Sequence, residues 1–138
     1  MGLIDQLLVQ GQDSKLYQSL VQQKGFTGNV SGGINYLGNM FNYNGPMVWM
    51  ADLIYDANVS SDSILLEFDK AVASLDSVKQ EELDLAIIKI RSGLYDNIGG
   101  FFGVGRADLL ACFALFDDDP GRINTIESKF KKITPEII

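Results

Sequence analysis

Between Gly11 and Gly25 the chain reads Gly11-Gln12-Asp13-Ser14-Lys15-Leu16-Tyr17-Gln18-Ser19-Leu20-Val21-Gln22-Gln23-Lys24-Gly25, a helix with both boundaries written out. Asp13 or Ser14 supplies an N-capping oxygen, and Leu16, Tyr17 and Leu20 recur at helical spacing. The helix runs to Lys24, and Gly25 stands where a helix-terminating glycine belongs. Upstream, Leu3, Ile4, Leu7 and Leu8 imply a first helix, broken by Gly11 to Ser14. Downstream, Phe26 to Tyr36 reads as a strand with Val30, Ile34 and Tyr36 on one face, weakened by Gly28, Gly32 and Gly33.

Leu37 to Pro46 is rich in Asn and Gly and reads as a loop. Met47 to Tyr55 is a second strand, its near-continuous apolar character implying partial cover on both faces. Trp49 within it reads as packing against a covering helix. Ser60-Ser61-Asp62 opens a helix with Ile64, Leu65, Phe68, Ala71, Val72 and Leu75 as its apolar face. Ser77 and Gln80 form a capping-box pattern for the next helix, striped by Leu83, Ile87, Ile90 and Leu94. Arg106 to Phe116 is apolar nearly all round and is expected to be buried. Asp117-Asp118-Asp119-Pro120 opens a last helix with Ile123, Ile126, Phe130 and Ile133 as its stripe. The order is two helices, two strands, four helices and the stump of a fifth. Two strands make a poor sheet alone, so further strands, or another copy at an exposed sheet edge, are expected.

The ends point the same way. The first helix lacks an N-cap, and Thr134-Pro135-Glu136 opens a helix that only Ile137 and Ile138 follow. The chain is expected to be a piece of a larger protein, truncated at both ends.

Composition excludes several functions. The 138 residues are 46% hydrophobic, which suits one globular domain. Net charge is −7, with no long Lys/Arg run, against nucleic-acid binding through a basic face. There is no histidine, which removes His-based triads and the common zinc sites. The one cysteine, Cys112, lies in an apolar run and reads as a small core residue rather than a reactive thiol. The longest apolar run, Leu109 to Phe116, is far short of the roughly 20 residues that span a bilayer. Met1-Gly2 lacks a basic region, Asp5 interrupts the first apolar stretch, and Gln6 argues against N-myristoylation.

Candidate motifs resolve to structural readings. Gly99 to Gly105 follows no strand and lacks Gly-Lys-Ser/Thr, so close helix packing or a helix break is favoured over phosphate binding. Asp117, Asp118 and Asp119 lack the ligand spacing of an EF-hand and suit a helix N-terminus. Glu67, Asp69, Glu81, Glu82 and Asp84 read as a solvated face rather than paired catalytic carboxylates. Tyr17, Tyr36 and Tyr55 read as core or sheet-packing residues rather than nucleophiles. No catalytic or metal-binding residue is expected in this chain.

The pattern Gly11-x-Asp13-Ser14-Lys15-Leu16-Tyr17-Gln18-x-Leu20-Val21-x-x-Lys24 resembles the "G-x-x-S-R-L-Y-x-x-L-V-x-E-K" segment of insulinase/pitrilysin-type zinc metallopeptidases, which include the processing peptidases. Val78-Lys79-Gln80-Glu81-Glu82-Leu83, Asp119-Pro120-x-Arg122-Ile123 and Ile133-Thr134-Pro135-Glu136-Ile137 resemble later family motifs in the family's order. The resemblance covers almost the whole chain, through Gly11, Ser14, Leu16, Tyr17, Leu20, Lys24, Glu82, Leu83, Pro120, Thr134 and Pro135.

That resemblance implies an α+β domain, with several helices on a largely antiparallel sheet. Such domains pair into a chamber that encloses peptides, and one of them carries an H-x-x-E-H zinc site. Without histidine, this chain resembles the non-catalytic domain in the second half of a subunit. Zinc would then sit in the parent's catalytic domain, and the partners would be that domain, a homologous subunit and peptide substrate. Many second halves hold substrate through an Arg and a Tyr seven residues apart. Val21 and Gly28 occupy those positions here, so the pair is absent, which favours the zinc-bearing subunit over its partner. Two other readings stay open: a zinc-less scaffold subunit, and an independent acidic protein-binding module. The compartment, cytoplasm or periplasm, is also open.

Overall fold

The computed structural model describes residues 1–35, 40–100 and 104–138. The chain begins with α1 (Gly2–Leu8) and a π-helix (Tyr17–Gln23), then the strands β1 (Thr27–Gly33) and β2 (Met50–Tyr55). α2 (Ser61–Ala73) and a 3-10 turn (Ser74–Ser77) lead to α3 (Gln80–Ile98) and α4 (Val104–Asp117). A 3-10 turn (Pro120–Asn124), α5 (Ile126–Phe130) and a last 3-10 turn (Pro135–Ile137) close the order. It is a mostly helical α+β fold.

The helix between Gly11 and Gly25 forms where its boundaries place it, with an unexpected winding. From Tyr17 its bonds run to the fifth residue back, as in Lys24 N–H to Ser19 O at 3.0 Å. Gly25 has φ +62°, the left-handed conformation of a terminating glycine, and Phe26 N–H closes onto Leu20 O. Gly11 is also left-handed, at φ +86°. The capping oxygen expected from Asp13 or Ser14 is not used. Asp13 instead pairs with Lys89 at 2.9 Å, and the buried Ser14 hydroxyl finds no partner among the described residues.

β1 and β2 are antiparallel, with Val30 opposite Leu53 and Gly33 opposite Met50, and β1 bulges between Thr27 and Val30. Gly32 is a steric necessity: a Cβ there would stand 2.6 Å from Met50 O and 3.1 Å from Val9 Cγ2. The second strand is shorter than expected and covered on one face only. Ala51 and Leu53 turn to the core, whereas Ile54 is 91% exposed, because no described residue packs over the outer face. Ile34 is buried just past β1; the expectation for Tyr36 lies outside the described residues.

Three apolar clusters hold the helices. Leu3 and Leu7 of α1 meet Leu83, Ala86, Ile87 and Ile90 of α3, with Val78. Leu8, Val9, Leu16, Leu20, Val30, Ile64 and Ala71 form the second, beneath the hairpin. Leu94, Leu109, Phe113 and Ile126 form the third, where Phe41 meets Phe113 edge-on at 5.2 Å. Fully burying each Leu, Ile, Val or Phe side chain among them contributes about 1.5–3 kcal/mol. Cys112 is buried, in agreement with its reading as core.

Several helical details depart from the sequence reading. The buried stripe of α2 is Ile64, Glu67 and Ala71, with Phe68 half-buried beside it, so Leu65 and Val72 face outward. The α3 cap is Lys79 N–H donating to Glu82 Oε2 at 2.9 Å, not the Ser77 and Gln80 pair, since Ser77 closes the preceding turn. α4 is not buried all round: Leu109, Cys112 and Phe113 turn inward, and Leu115 is 74% exposed. The last helix breaks at Thr125 into a 3-10 turn and α5. Neither Asp119 nor Thr134 makes a side-chain capping bond; Asp117 pairs with Arg122, and Asp118 turns left-handed at φ 52°. Gly105 packs so closely on the end of α3 that a Cβ would overlap Asn97 O, as expected of close helix packing. Residues 101–103 of that glycine-rich stretch lie outside the described residues.

Candidate functional site

The first two family-like motifs meet near the start of the π-helix, while Pro120, Thr134 and Pro135 lie in later turns. Leu16 and Leu20 are fully buried beneath the hairpin, and Tyr17 is half-buried beside them. Lys15 Nζ crosses to Glu82 Oε1 at 2.9 Å, joining the start of this helical segment to the start of α3, where Leu83 is fully buried. The Glu82 carboxyl is held below its usual range, first by the Lys79 N–H and second by Lys15. Pro120 opens the turn before α5, and Thr134 and Pro135 open the last turn. Val21 packs half-buried on the second cluster, and Gly28 lies exposed in the bulge of β1.

Of the acidic residues read as a solvated face, Asp69, Glu81 and Asp84 are exposed and Glu82 is half-buried, but Glu67 is not on that face. It is buried on α2 and receives Lys70 Nζ at 2.7 Å and Ser19 Oγ at 2.9 Å, with Lys24 Nζ at 3.7 Å. The Lys70 bond, then the Ser19 bond, hold its carboxyl below the usual range. These partners come from the π-helix, from Lys24 just after it and from α2 itself, so the carboxylate joins the two helices. No group of three Asp, Glu or Cys side chains gathers in a form that could hold a metal among the described residues.

A second polar centre had no sequence signal beyond its apolar surroundings. Asp5 is buried in α1, where Trp49 Nε1–H donates to Oδ1 at 2.8 Å and Gln10 Nε2 donates to Oδ2 at 3.1 Å. Gln10 Nε2 also reaches Gly32 O at 2.9 Å. Burial pushes the Asp5 carboxyl up, and the Trp49 and Gln10 bonds partly offset that. This network ties α1 to β1 and to the residue that leads into β2. Trp49, just before β2, also packs its ring against Phe68 of α2 at 5.8 Å, the covering helix expected for it. Of the three tyrosines, Tyr17 is half-buried, Tyr55 is exposed at 43%, and Tyr36 lies outside the described residues.

Part of the open surface is apolar. Between β2 and α2 lies a groove of about 460 Å³, lined by Ala51, Leu53 and Tyr55 on one side and Ile64, Leu65 and Phe68 on the other. Leu66 of α2, Leu85 and Ile88 of α3 and Ile54 of β2 are all exposed as well. The geometry provides surfaces to be covered and no constellation of acid, base and nucleophile. No helix among the described residues is long and apolar enough to cross a membrane.

No family model matches this sequence, and no curated protein matches it. A solved structure does: a protease from Helicobacter pylori, superposing with a TM-score of 0.75 at 18% sequence identity. The chain has the fold of one part of that protease. The match covers 98% of this chain and 31% of the protease chain, so this chain spans about a third of the length of the structure it matches.

Proposed function

We propose that this chain is the structural, non-catalytic domain of a larger zinc metallopeptidase of the insulinase/pitrilysin type. In that parent it forms part of the wall of a peptide-enclosing chamber and supports the catalytic domain or a homologous subunit. One observation carries the reading: nearly the whole chain superposes on less than a third of a bacterial protease. The run of family-like motifs from Gly11 to Pro135 agrees with it, and so does the apolar surface that Ile54, Leu65 and Ile88 leave open. Burial of Leu16, Leu20 and Leu83 and the Lys15–Glu82 pair explain what those motif positions do here, namely packing and helix joining.

Mechanistically, the domain's part is to position other groups. Zinc and its general base would be supplied by the parent's catalytic domain, and Val21 and Gly28 hold no polar group with which to grip a substrate carbonyl. The net charge of −7 mildly favours basic peptides near the wall by long-range attraction.

The test is to express the native polypeptide that contains this segment and measure zinc content and peptide hydrolysis, with and without residues 1–138. The reading expects zinc to stay with the remainder, and hydrolysis to fall when the segment is removed. Stoichiometric zinc on the isolated chain at neutral pH would overturn it. Intact folding of a parent without zinc or hydrolysis would instead mark a scaffold subunit.

A further inference from the structure

Far from the hairpin, α3, α4 and the segment leading into α5 enclose a cleft of about 570 Å³. Small-molecule sites commonly hold about 300–1,000 Å³. The cleft is apolar inside. Leu94 is its most buried lining residue, at 7% exposure, and Ile98, Leu110 and Ile123 are half-buried around it. Those four side chains come from three different elements, so the third core cluster beneath holds their spacing.

The polar side chains of the cleft are unevenly charged. Glu127 is the one acid lining it among the described residues, and that acid is already occupied. Lys131 Nζ lies 2.7 Å and Arg91 Nε 2.9 Å from its Oε1, and the Tyr95 hydroxyl donates to Oε2 at 2.6 Å. The Lys131 bond first, and the Tyr95 bond second, hold the Glu127 carboxyl below its usual range. Two cations therefore meet one carboxylate. Arg106, in the first turn of α4, is a third cation at the cleft. Its guanidinium is exposed and makes no ion pair or hydrogen bond among the described residues, and nor does the side-chain amide of Asn124. Donors without acceptors thus adjoin an apolar interior, in a chain whose net charge is −7. A cationic ligand would find no vacant acid there and would be repelled by Arg91 and Lys131. A planar carboxylate suits the Arg106 fork, which can donate two parallel bonds to it.

We propose that this cleft binds a monocarboxylate with an apolar tail. The carboxylate lies against Arg106 and Asn124, and the tail covers Leu94, Ile98, Leu110 and Ile123. A free aliphatic acid and the C-terminus of a peptide ending in leucine share that chemistry. The proposal goes beyond the domain reading above and does not depend on it, since every group it uses belongs to this chain.

Methyl NMR of the 138-residue chain tests it, with octanoate as the first probe. Octanoate should shift the methyls of Leu94, Ile98, Leu110 and Ile123 with one midpoint and leave those of Ile54 and Leu65, in and beside the other groove, unmoved. Octylammonium, with the same tail and the opposite charge, should need at least about tenfold more to reach half-saturation. Arg106→Gln should raise the half-saturating octanoate concentration about tenfold. Arg106→Lys should recover only part of that loss, because an ammonium lacks the fork. Arg106 is exposed and bonded to no described residue, so both variants should keep the methyl spectrum of the fold elsewhere. An acetylated Ala-Leu-Leu peptide, as free acid and as C-terminal amide, separates the two sources. Shifts by octanoate alone mark a free aliphatic acid, shifts by the peptide acid alone mark a peptide C-terminus, and the amide should give neither. The proposal is overturned if neither acid shifts these methyls, if the oppositely charged or amidated probe binds as tightly as its acid, or if Arg106→Gln leaves the midpoint unchanged. Leu65 methyls moving with the same midpoint would overturn it too, since that marks detergent-like adsorption.

Discussion

Replacing Trp49 by Phe removes one hydrogen bond from a buried carboxylate and keeps most of an aromatic ring. In the structure Trp49 Nε1–H lies 2.8 Å from Asp5 Oδ1, and Gln10 alone would remain to support the acid. A hydrogen bond to a charged group contributes about 1.5–3 kcal/mol. The smaller ring also loses some contact with Phe68, on the order of 1 kcal/mol by the methylene scale. Trp49→Phe should therefore destabilise the fold by about 3 kcal/mol at neutral pH, measured by urea unfolding followed by far-UV circular dichroism. In an Asp5→Asn background the charge is gone and the same change should cost about half as much, giving a coupling of about 1–2 kcal/mol.

The pH dependence gives the sharper test. Burial raises the folded pKa of Asp5 above its ordinary 3.8, so the native state binds its proton more tightly than the unfolded chain. Stability attached to Asp5 is then fullest below the ordinary pKa and falls as pH rises through the folded pKa. Losing the Trp49 bond raises the folded pKa further, so the destabilisation by Trp49→Phe must shrink on acidification. An equal loss at neutral and acidic pH, or no coupling to Asp5→Asn, would refute the argument.

Gly32→Ala should destabilise by on the order of 2 kcal/mol, because its Cβ meets backbone, Met50 O at 2.6 Å, which cannot give way without opening the hairpin; thermal unfolding measures it. Glu82→Ala removes both the α3 cap and the partly exposed Lys15 pair and should cost about 1 kcal/mol, read by the same melt. Glu67, Glu82 and Glu127 are all held below the ordinary 4.5, by Lys70, by Lys79 N–H and by Lys131 respectively. Their stabilisation is present above that value and lost as pH falls through their folded pKa values, so Glu67→Gln should destabilise the fold at neutral pH and its cost should shrink on acidification, read by urea unfolding at the two pH values. Cys112 should react with a thiol reagent only at the rate of unfolding, which a stopped-flow trace in dilute urea would show.

Helix and strand positions were legible where periodicity met a boundary residue. Leu83, Ile87, Ile90 and Leu94 are buried as their spacing demands, and Gly25 adopts the left-handed turn that its place implies. What escaped was decided by partners distant in sequence. Glu67 faces inward because Ser19 and Lys24, far upstream, meet it with Lys70, and this displaces Leu65 to the surface. Asp5 reads as an interruption of an apolar run until Trp49, 44 residues later, donates to it. The π winding of Tyr17–Gln23 has no side-chain signature, since the same apolar spacing serves an α-helix equally well. Leu115 and Ile54 looked like core because apolar composition records what can be buried, not whether a neighbour is present. The open groove followed from that same missing neighbour, and only the register of β2 shows which backbone groups line its edge.

The most direct measurement is the sequence of the native gene upstream of the codon for Leu3. The account predicts an open reading frame continuing into a homologous domain with H-x-x-E-H followed by a downstream glutamate ligand. A reading frame confined to these 138 residues would contradict it.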